Sequence, residues 1–352
     1  MQRRPCKNLV HMGQRLRCTS AELYARLQAG ERRALGQALT LVESNHMEHR
    51  QQADALLLKA LECERRCLRL GISGPPGAGK STFIDAMGMY LVSLGLRVGV
   101  FAVDPTSVKH GGSVLGDKTR MHRLAQEPRA FVRPSPSKGH LGGVTANAYE
   151  STLLFEVAGY DVVLIETVGV GQSEVAVADL ADCFLFLIPP SSGDELHGIK
   201  KGIVEVSDIL CITKADGKTL PQAEKALDQY SSAMRLLYST GDKWEKRVLL
   251  TSAKEPALLK QVWEEVQRHQ EVMRQEGEFA RRREAQRQKQ LWNNIQAEVV
   301  HRLQTLPSVQ GVMGQLERQV LRGTVTPRRA CYQILDLPLR PLRQAMMEGC
   351  SL

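Results

Sequence analysis

Short, almost unbroken apolar runs recur through the middle of the chain, at residues 68–72, 98–103, 130–132, 162–165, 183–188, 209–212 and 248–250. Helical or loop stretches separate them. Runs of this length without polar alternation predict strands buried on both faces, hence a parallel sheet covered by helices. The predicted class is therefore α/β, doubly wound, with its ligand at the carboxyl ends of the strands. On either side the period changes to that of a helix. Ser20 reads as an N-cap, with Leu23 and Leu27 on one face and a stop at Gly30. Leu35, Leu39 and Val42 mark a second helix, and residues 47–66, with Leu56, Leu57, Ala60 and Leu61, a third. Beyond residue 255, Leu258, Leu259, Val262, Trp263 and Val266 form one stripe. Leu291, Ile295, Val299 and Leu303, with Trp292 beside them, form another that ends before Pro307. Between the two, the charges of residues 281–287 read as a solvated face or linker. The expected divisions are 1–19 (basic tail or transit segment), 20–67 (helical), 68–255 (sheet domain), 256–335 (C-terminal helical arm) and 336–352 (unassigned). The apolar stripes of such an arm need the sheet domain or a second copy of the chain to bury against.

The first strand is followed by Gly74, Pro75, Pro76, Gly77, Ala78, Gly79, Lys80 and Ser81. These residues fit G-x-x-x-x-G-K-[ST] without mismatch, between a strand and a helical pattern over 82–94. Glycines at these positions let successive N–H groups turn inward on phosphate oxygens, and the helix that begins near Thr82 adds the positive end of its dipole. Lys80 is placed to reach the β- and γ-phosphates, and the Ser81 hydroxyl to ligate Mg²⁺. Later strands also end in polar residues. Asp104 follows 98–103, Glu166 and Gly169 (E-x-x-G) follow 162–165, Thr213, Lys214 and Asp216 (T-K-x-D) follow 209–212, and Ser252, Ala253 and Lys254 follow 248–250. A carboxylate at Asp216 can accept both N1–H and the exocyclic amine of guanine, donors that adenine does not offer in that arrangement. Lys214 would lie along the base, with Ser252 and Ala253 as the second guanine-side loop. Glu166 is an acid for the Mg²⁺ shell, with Gly169 beside the γ-phosphate. Asp104 and Asp117, the latter in a glycine-rich loop over 111–120, are further metal-side acids, and that loop reads as one that closes on the γ-phosphate. No side chain stands out as general base for the attacking water; Gln172 is a weak candidate.

Composition narrows the partners. The 352 residues carry a net charge of +9, with 43% apolar and 24% charged residues, which is ordinary for a globular chain. No uninterrupted apolar run is long enough to span a membrane, and no nucleic-acid-binding motif is present. Eight cysteines lack metal-ligand or disulfide-framework spacing and point to a reducing compartment. Cys63 and Cys67 lie one helical turn apart, a helix-face pair for which a metal site is the minor reading. Residues 1–18 hold five Arg and Lys and no acid, which suits a mitochondrial transit segment or a basic tail.

The segments GPPGAGKSTFI, AVDPTS, GGSVLGDKTRM, RPSPSKGHLGGV, LIETVGVGQSE, PPSSGDELHGIKKGI and TKAD follow one another as in the MeaB/MMAA family, which this chain resembles over about residues 20–335. That resemblance implies a P-loop GTPase domain, doubly wound on a mainly parallel sheet, with N-terminal and C-terminal helical extensions, the latter a homodimerisation arm. It implies GTP hydrolysis to GDP with Mg²⁺, and a role as chaperone of methylmalonyl-CoA mutase or a related adenosylcobalamin-dependent acyl-CoA mutase. Adenosylcobalamin enters only through that partner; neither nucleic acid nor membrane is implied. Phosphate and metal roles then fall to Lys80, Ser81, Asp104, Asp117 and Glu166, and guanine to Asp216. The loop 193–200 corresponds to a switch that contacts the mutase, with Lys200 reaching the nucleotide when the partner docks. His197 stands where the family usually has Gln, and Thr213 replaces the Asn of the general GTPase motif. A matrix location follows for a eukaryotic chain, a cytoplasmic one otherwise. The competing readings are a P-loop kinase, excluded if GDP rather than ADP competes, a metal-insertion GTPase, which would carry a His-rich tract or Cys pair, and a non-hydrolysing scaffold.

Overall fold

The computed structural model describes residues 18–44, 46–103, 121–134, 143–167, 177–190, 206–237 and 243–337. Seven strands form one parallel sheet: β1 (Leu68–Ser73), β2 (Val98–Val103), β3 (Ala130–Pro134), β4 (Val162–Thr167), β5 (Cys183–Ile188), β6 (Ile209–Ile212) and β7 (Arg247–Leu250). Their order is β3-β2-β4-β1-β5-β6-β7, and every pairing is parallel. The chain leaves β1 toward β2 on one side, whereas it leaves β4 across β1 toward β5. The carboxyl ends of β1 and β4 therefore flank the switch point where open α/β sheets hold ligands.

Side-chain alternation assigns the two faces. Leu70 and Ile72 of β1, with Val100, Leu164, Leu185 and Leu187, pack on α4 (Lys80–Ser93) through Phe83, Ile84, Met87 and Leu91. Val163, Ile165 and Phe184 point the other way, into a core shared with the N-terminal helices α1 (Ser20–Gln28), α2 (Arg32–Val42) and α3 (Met47–Leu61). Leu23, Leu27, Leu35, Leu39 and Leu56 are at most 1% exposed, so these helices complete one face of the sheet. Phe186, Ile188, Leu210 and Ile212 form a third cluster with Ala223, Ala226 and Tyr230 of α7 (Leu220–Leu237). Further helices among the described residues of the sheet unit are α5 (His122–Gln126), α6 (Gly143–Val157) and α8 (Pro256–Gln275).

Local boundaries differ from the sequence expectation in three places. The cap of α1 is Thr19, not Ser20: its hydroxyl accepts from Glu22 N–H while the Glu22 carboxylate accepts from Thr19 N–H, a reciprocal capping box. Helix α3 ends at Leu61, so Cys63 and Cys67 do not share a helical face; Cys67 is buried with its Sγ facing Glu156 at 3.7 Å. Helix α4 begins at Lys80, two residues before the expected start.

The largest correction concerns the basic run. Two compact units divide the chain, Met1–Arg287 and Gln288–Leu352, and helix α9 (Glu278–Thr305) begins in the first. Arg281 is solvated, but Arg282 forms a two-pronged pair with Asp208 at 2.8 and 2.9 Å. Arg283 grips Asp182 at 2.7 and 2.8 Å, reaches Glu156 at 3.3 Å and donates to Cys67 O. Gln286, one turn on, donates to Ala181 O. These acceptors lie just ahead of β1, β5 and β6 or on α6, so one face of α9 is locked onto the amino ends of three strands. A charge run looks solvated when its partners are distant in sequence, and these carboxylates precede it by at least 74 positions. Burial alone would raise the Asp208 carboxyl, but Arg282 and His269 outweigh it and hold it well below the usual range. Cys183, Asp208 and His269 bring ligand-type atoms within 4.8 Å of one another. Both Asp208 oxygens already accept from Arg282 and one also from Phe184 N–H, so the guanidinium occupies the cationic position.

In the second unit, α10 (Pro307–Leu321) packs on α11 (Pro327–Asp336), with Val309, Leu316 and Ala330 buried. The stripe Leu291, Trp292, Ile295, Val299 and Val300 on α9 is exposed. None of the described helices is long and apolar enough to cross a membrane.

Candidate nucleotide site

The loop from Gly74 to Gly79 joins β1 to α4 at the switch point. A Cβ at Gly74 would sit 2.3 Å from Leu187 O of β5, so only glycine lets the loop pass that close to the sheet. Gly77 and Gly79 have φ of 81° and 84°, the left-handed region. Gly79 is the N-cap of α4 and makes no side-chain cap, with Phe83 N–H closing the first helical bond on its carbonyl. The N–H groups of the first turn, Lys80, Ser81 and Thr82, precede that bond and have no helical acceptor. Pro75, Pro76 and Ala78 complete the loop, and Ala78 N–H donates to Pro75 O. The result is a ring of backbone donors at the positive end of a fourteen-residue helix, an arrangement suited to anions.

Two side chains face that ring. The Lys80 ammonium donates to Gly74 O at 2.8 Å and Pro75 O at 3.3 Å, folded back over the loop. The Ser81 hydroxyl donates to Glu166 Oε1 at 3.1 Å. Glu166 is paired in register with Ile72 and 4% exposed, so strand pairing brings it to the helix start from 85 residues away. A hydroxyl beside a buried carboxylate is a hard-oxygen donor set of the kind Mg²⁺ takes. Behind it, the Ser73 and Thr167 hydroxyls share a buried 2.7 Å bond that ties β1 to β4.

The residues expected on the guanine side gather two strands along. At about 4.8 Å per strand, the end of β6 lies about 10 Å from the end of β1, the distance between a base and its phosphates. Thr213 N–H and hydroxyl both donate to Ile188 O, and Ala215 N–H donates to Thr251 O, which fixes the loop against β5 and β7. Lys214, with φ of 57°, occupies the left-handed region without being glycine; such strain collects at binding loops. Thr219 closes the turn by donating to the carbonyls of Lys214 and Asp216. The Asp216 carboxylate accepts from the Ser252 hydroxyl at 2.6 Å and from the Lys254 ammonium at 3.0 Å. Those two bonds, Ser252 first, hold its carboxyl below the usual range. Ala253 sits between them in the chain, partly buried.

The sheet thus assembles Gly74 to Thr82 with Glu166 at one place and Thr213, Lys214, Asp216, Ser252 and Ala253 at the other. Asp104, Asp117, Gly169, Gln172, His197 and Lys200 lie outside the described residues. Lys254 carries no role in the sequence pattern, because its partner Asp216 is 38 positions away.

Comparisons with known proteins identify the family and the fold. Residues 35–308 match the family described as methylmalonyl-CoA mutase-associated GTPase MeaB. A Mycobacterium tuberculosis protein named "Probable GTPase" is 48% identical over 311 residues, 88% of this chain and 93% of that relative. The Mus musculus "Methylmalonic aciduria type A homolog, mitochondrial" is 44% identical over 323 residues, covering 89% of this chain and 78% of its own length. Among solved structures, one titled "Crystal structure of LAO/AO transport system kinase" superposes with a TM-score of 0.70 at 37% identity, over 90% of this chain and 96% of that one. The chain belongs to the MeaB family of methylmalonyl-CoA mutase-associated GTPases, and it is a nucleotide-binding GTPase with a P-loop fold.

Proposed function

We propose that this GTPase is a chaperone of methylmalonyl-CoA mutase, or of a related adenosylcobalamin-dependent acyl-CoA mutase. Its nucleotide state gates loading of adenosylcobalamin and protects or reactivates the partner. The family's mutase-associated description and the name of the mouse relative support the partner class. The observation that carries the GTP-dependent part is the assembly of a backbone phosphate cradle and a guanine-type carboxylate at strand ends two positions apart in one sheet.

In this reading the N–H groups of Gly77 and of Gly79 to Thr82 bind the β- and γ-phosphates. Lys80 exchanges its two loop carbonyls for phosphate oxygens. Ser81 and Glu166 hold Mg²⁺, joined by Asp104 and Asp117, and Gly169 meets the γ-phosphate. The ion, when bound, neutralises charge developing on the transferred phosphoryl group. Asp216 reads guanine, Lys214 covers the base, and Thr213, Ser252 and Ala253 hold that pocket in shape. Lys200 reaches the nucleotide once the mutase is docked, which makes hydrolysis slow alone and faster in the complex. The chain forms a homodimer through its C-terminal helices, consistent with the exposed stripe at Leu291, Trp292, Ile295 and Val299. A eukaryotic chain of this kind acts in the mitochondrial matrix.

Two measurements test this. Lys80→Ala should abolish GDP and GTP binding in titration calorimetry; hydrolysis at the parent rate would refute the phosphate assignment. Pull-down against an adenosylcobalamin mutase should recover a complex, and failure to do so would remove the chaperone role while leaving the GTPase intact.

A further inference from the structure

Asp216 does not reach its position alone. Ser252 and Lys254, both on the segment after β7, each bind one of its oxygens: Ser252 Oγ on Oδ2 at 2.6 Å and Lys254 Nζ on Oδ1 at 3.0 Å. Lys254 N–H also donates to Ser252 Oγ at 3.1 Å. The same residue thus supports the carboxylate twice, directly through its ammonium and indirectly through its backbone. A carboxylate offers about four acceptor positions, two on each oxygen. Ser252 and Lys254 use one on each, which leaves one on each for two parallel donors separated as N1–H and the exocyclic amine of a guanine are. The Ser252 hydroxyl first and then the ammonium favour the ionised form, which accepts both donors.

We infer that Lys254 is a positioning residue for base selection, orienting Asp216 so that both of its oxygens face the guanine edge. This rests on the reading of Asp216 as the guanine reader. Lys254 is 78% exposed and Asp216 18%, so the pair is screened by water and its effect is modest. Exposed pairs of this kind correspond to about a two- to fivefold change in an equilibrium. Two donors must align on one plane, so the effect is larger for a base with both than for a base with one.

The test compares the parent, Lys254→Met, Lys254→Arg and Asp216→Asn in titrations with GDP and with inosine diphosphate, which keeps N1–H but lacks the amine. Lys254→Met is expected to weaken GDP binding about two- to fivefold and to narrow the preference for GDP over inosine diphosphate. It should raise KM for GTP with kcat unchanged, because the phosphate end is untouched. Lys254→Arg should restore the parent values, and 1 M salt should shrink the difference between parent and Lys254→Met. Unchanged or tighter GDP binding by Lys254→Met, or a fall in kcat at constant KM, would overturn the proposal. Asp216→Asn reports separately: if it binds GDP as the parent does, the guanine reading itself fails.

Discussion

Arg283 shows most directly how one side chain in this chain acquires its importance from its surroundings. It is 7% exposed and touches two buried carboxylates, Asp182 and Glu156, as well as Cys67 O. Arg283→Ala takes the guanidinium from buried Asp182, while Glu156 keeps Arg69 at 3.2 Å, and should destabilise the fold by about 3–5 kcal/mol in denaturant unfolding. Arg281→Ala, at the solvated neighbour, should stay within about 0.5 kcal/mol; equal effects would contradict the buried clamp. Glu150 on α6 makes a different prediction. Burial, and then the nearby Asp54, push its carboxyl up to about 7. An acid whose folded value is raised binds more protons folded than unfolded, so its contribution to stability is full below about pH 4 and is lost as pH rises through 7. Glu150→Gln should therefore stabilise the protein at pH 8, and the gain should fade on acidification. A pH-independent difference would show that Glu150 is not the titrating group. At the site, Gly74→Ala should remove nucleotide binding, because the added methyl would meet Leu187 O at 2.3 Å.

Strands and helices were the most legible level. Continuous apolar runs found the seven strands; β4, β5 and β6 are buried at every position and almost wholly apolar, whereas half-buried β7 was marked by Val248, Leu249 and Leu250. Their ends also located the P-loop and the T-K-x-D turn, since chemistry here sits where apolar runs stop. Boundaries that depend on caps were less legible: Thr19 and Ser20 are both competent, and the reciprocal bond with Glu22 decides between them. The least legible feature was the start of α9. Its sequence is charged on nearly every side, and nothing local distinguishes Arg281 in water from Arg283 among carboxylates. Lys254 was hidden for the same reason, by a partner 38 residues away. The N-terminal helices test the packing account. Leu39 is 1% exposed within the core that α2 shares with the sheet, so Leu39→Ala should cost about 2–5 kcal/mol. A cost near that of a surface substitution would mean that these helices are not part of the sheet's core.

At the scale of the molecule, the sheet unit assembles the candidate nucleotide site at its strand ends, and an apolar stripe on α9 is exposed. The exposed stripe on α9 predicts that Ile295→Asp with Trp292→Asp gives a monomer in sedimentation while basal GTP hydrolysis persists. A dimer that survives both changes would place the interface on another surface. In the proposed function the P-loop, the Ser81–Glu166 pair and the Asp216 cluster serve binding and slow turnover, and the mutase is proposed to supply the rest. The most direct measurement of that claim is the steady-state GTPase rate of the full chain, alone and with saturating adenosylcobalamin-dependent methylmalonyl-CoA mutase. The account predicts slow turnover alone and at least tenfold faster turnover in the complex, a change of about 1.4 kcal/mol in barrier. An identical rate with and without the mutase would contradict it.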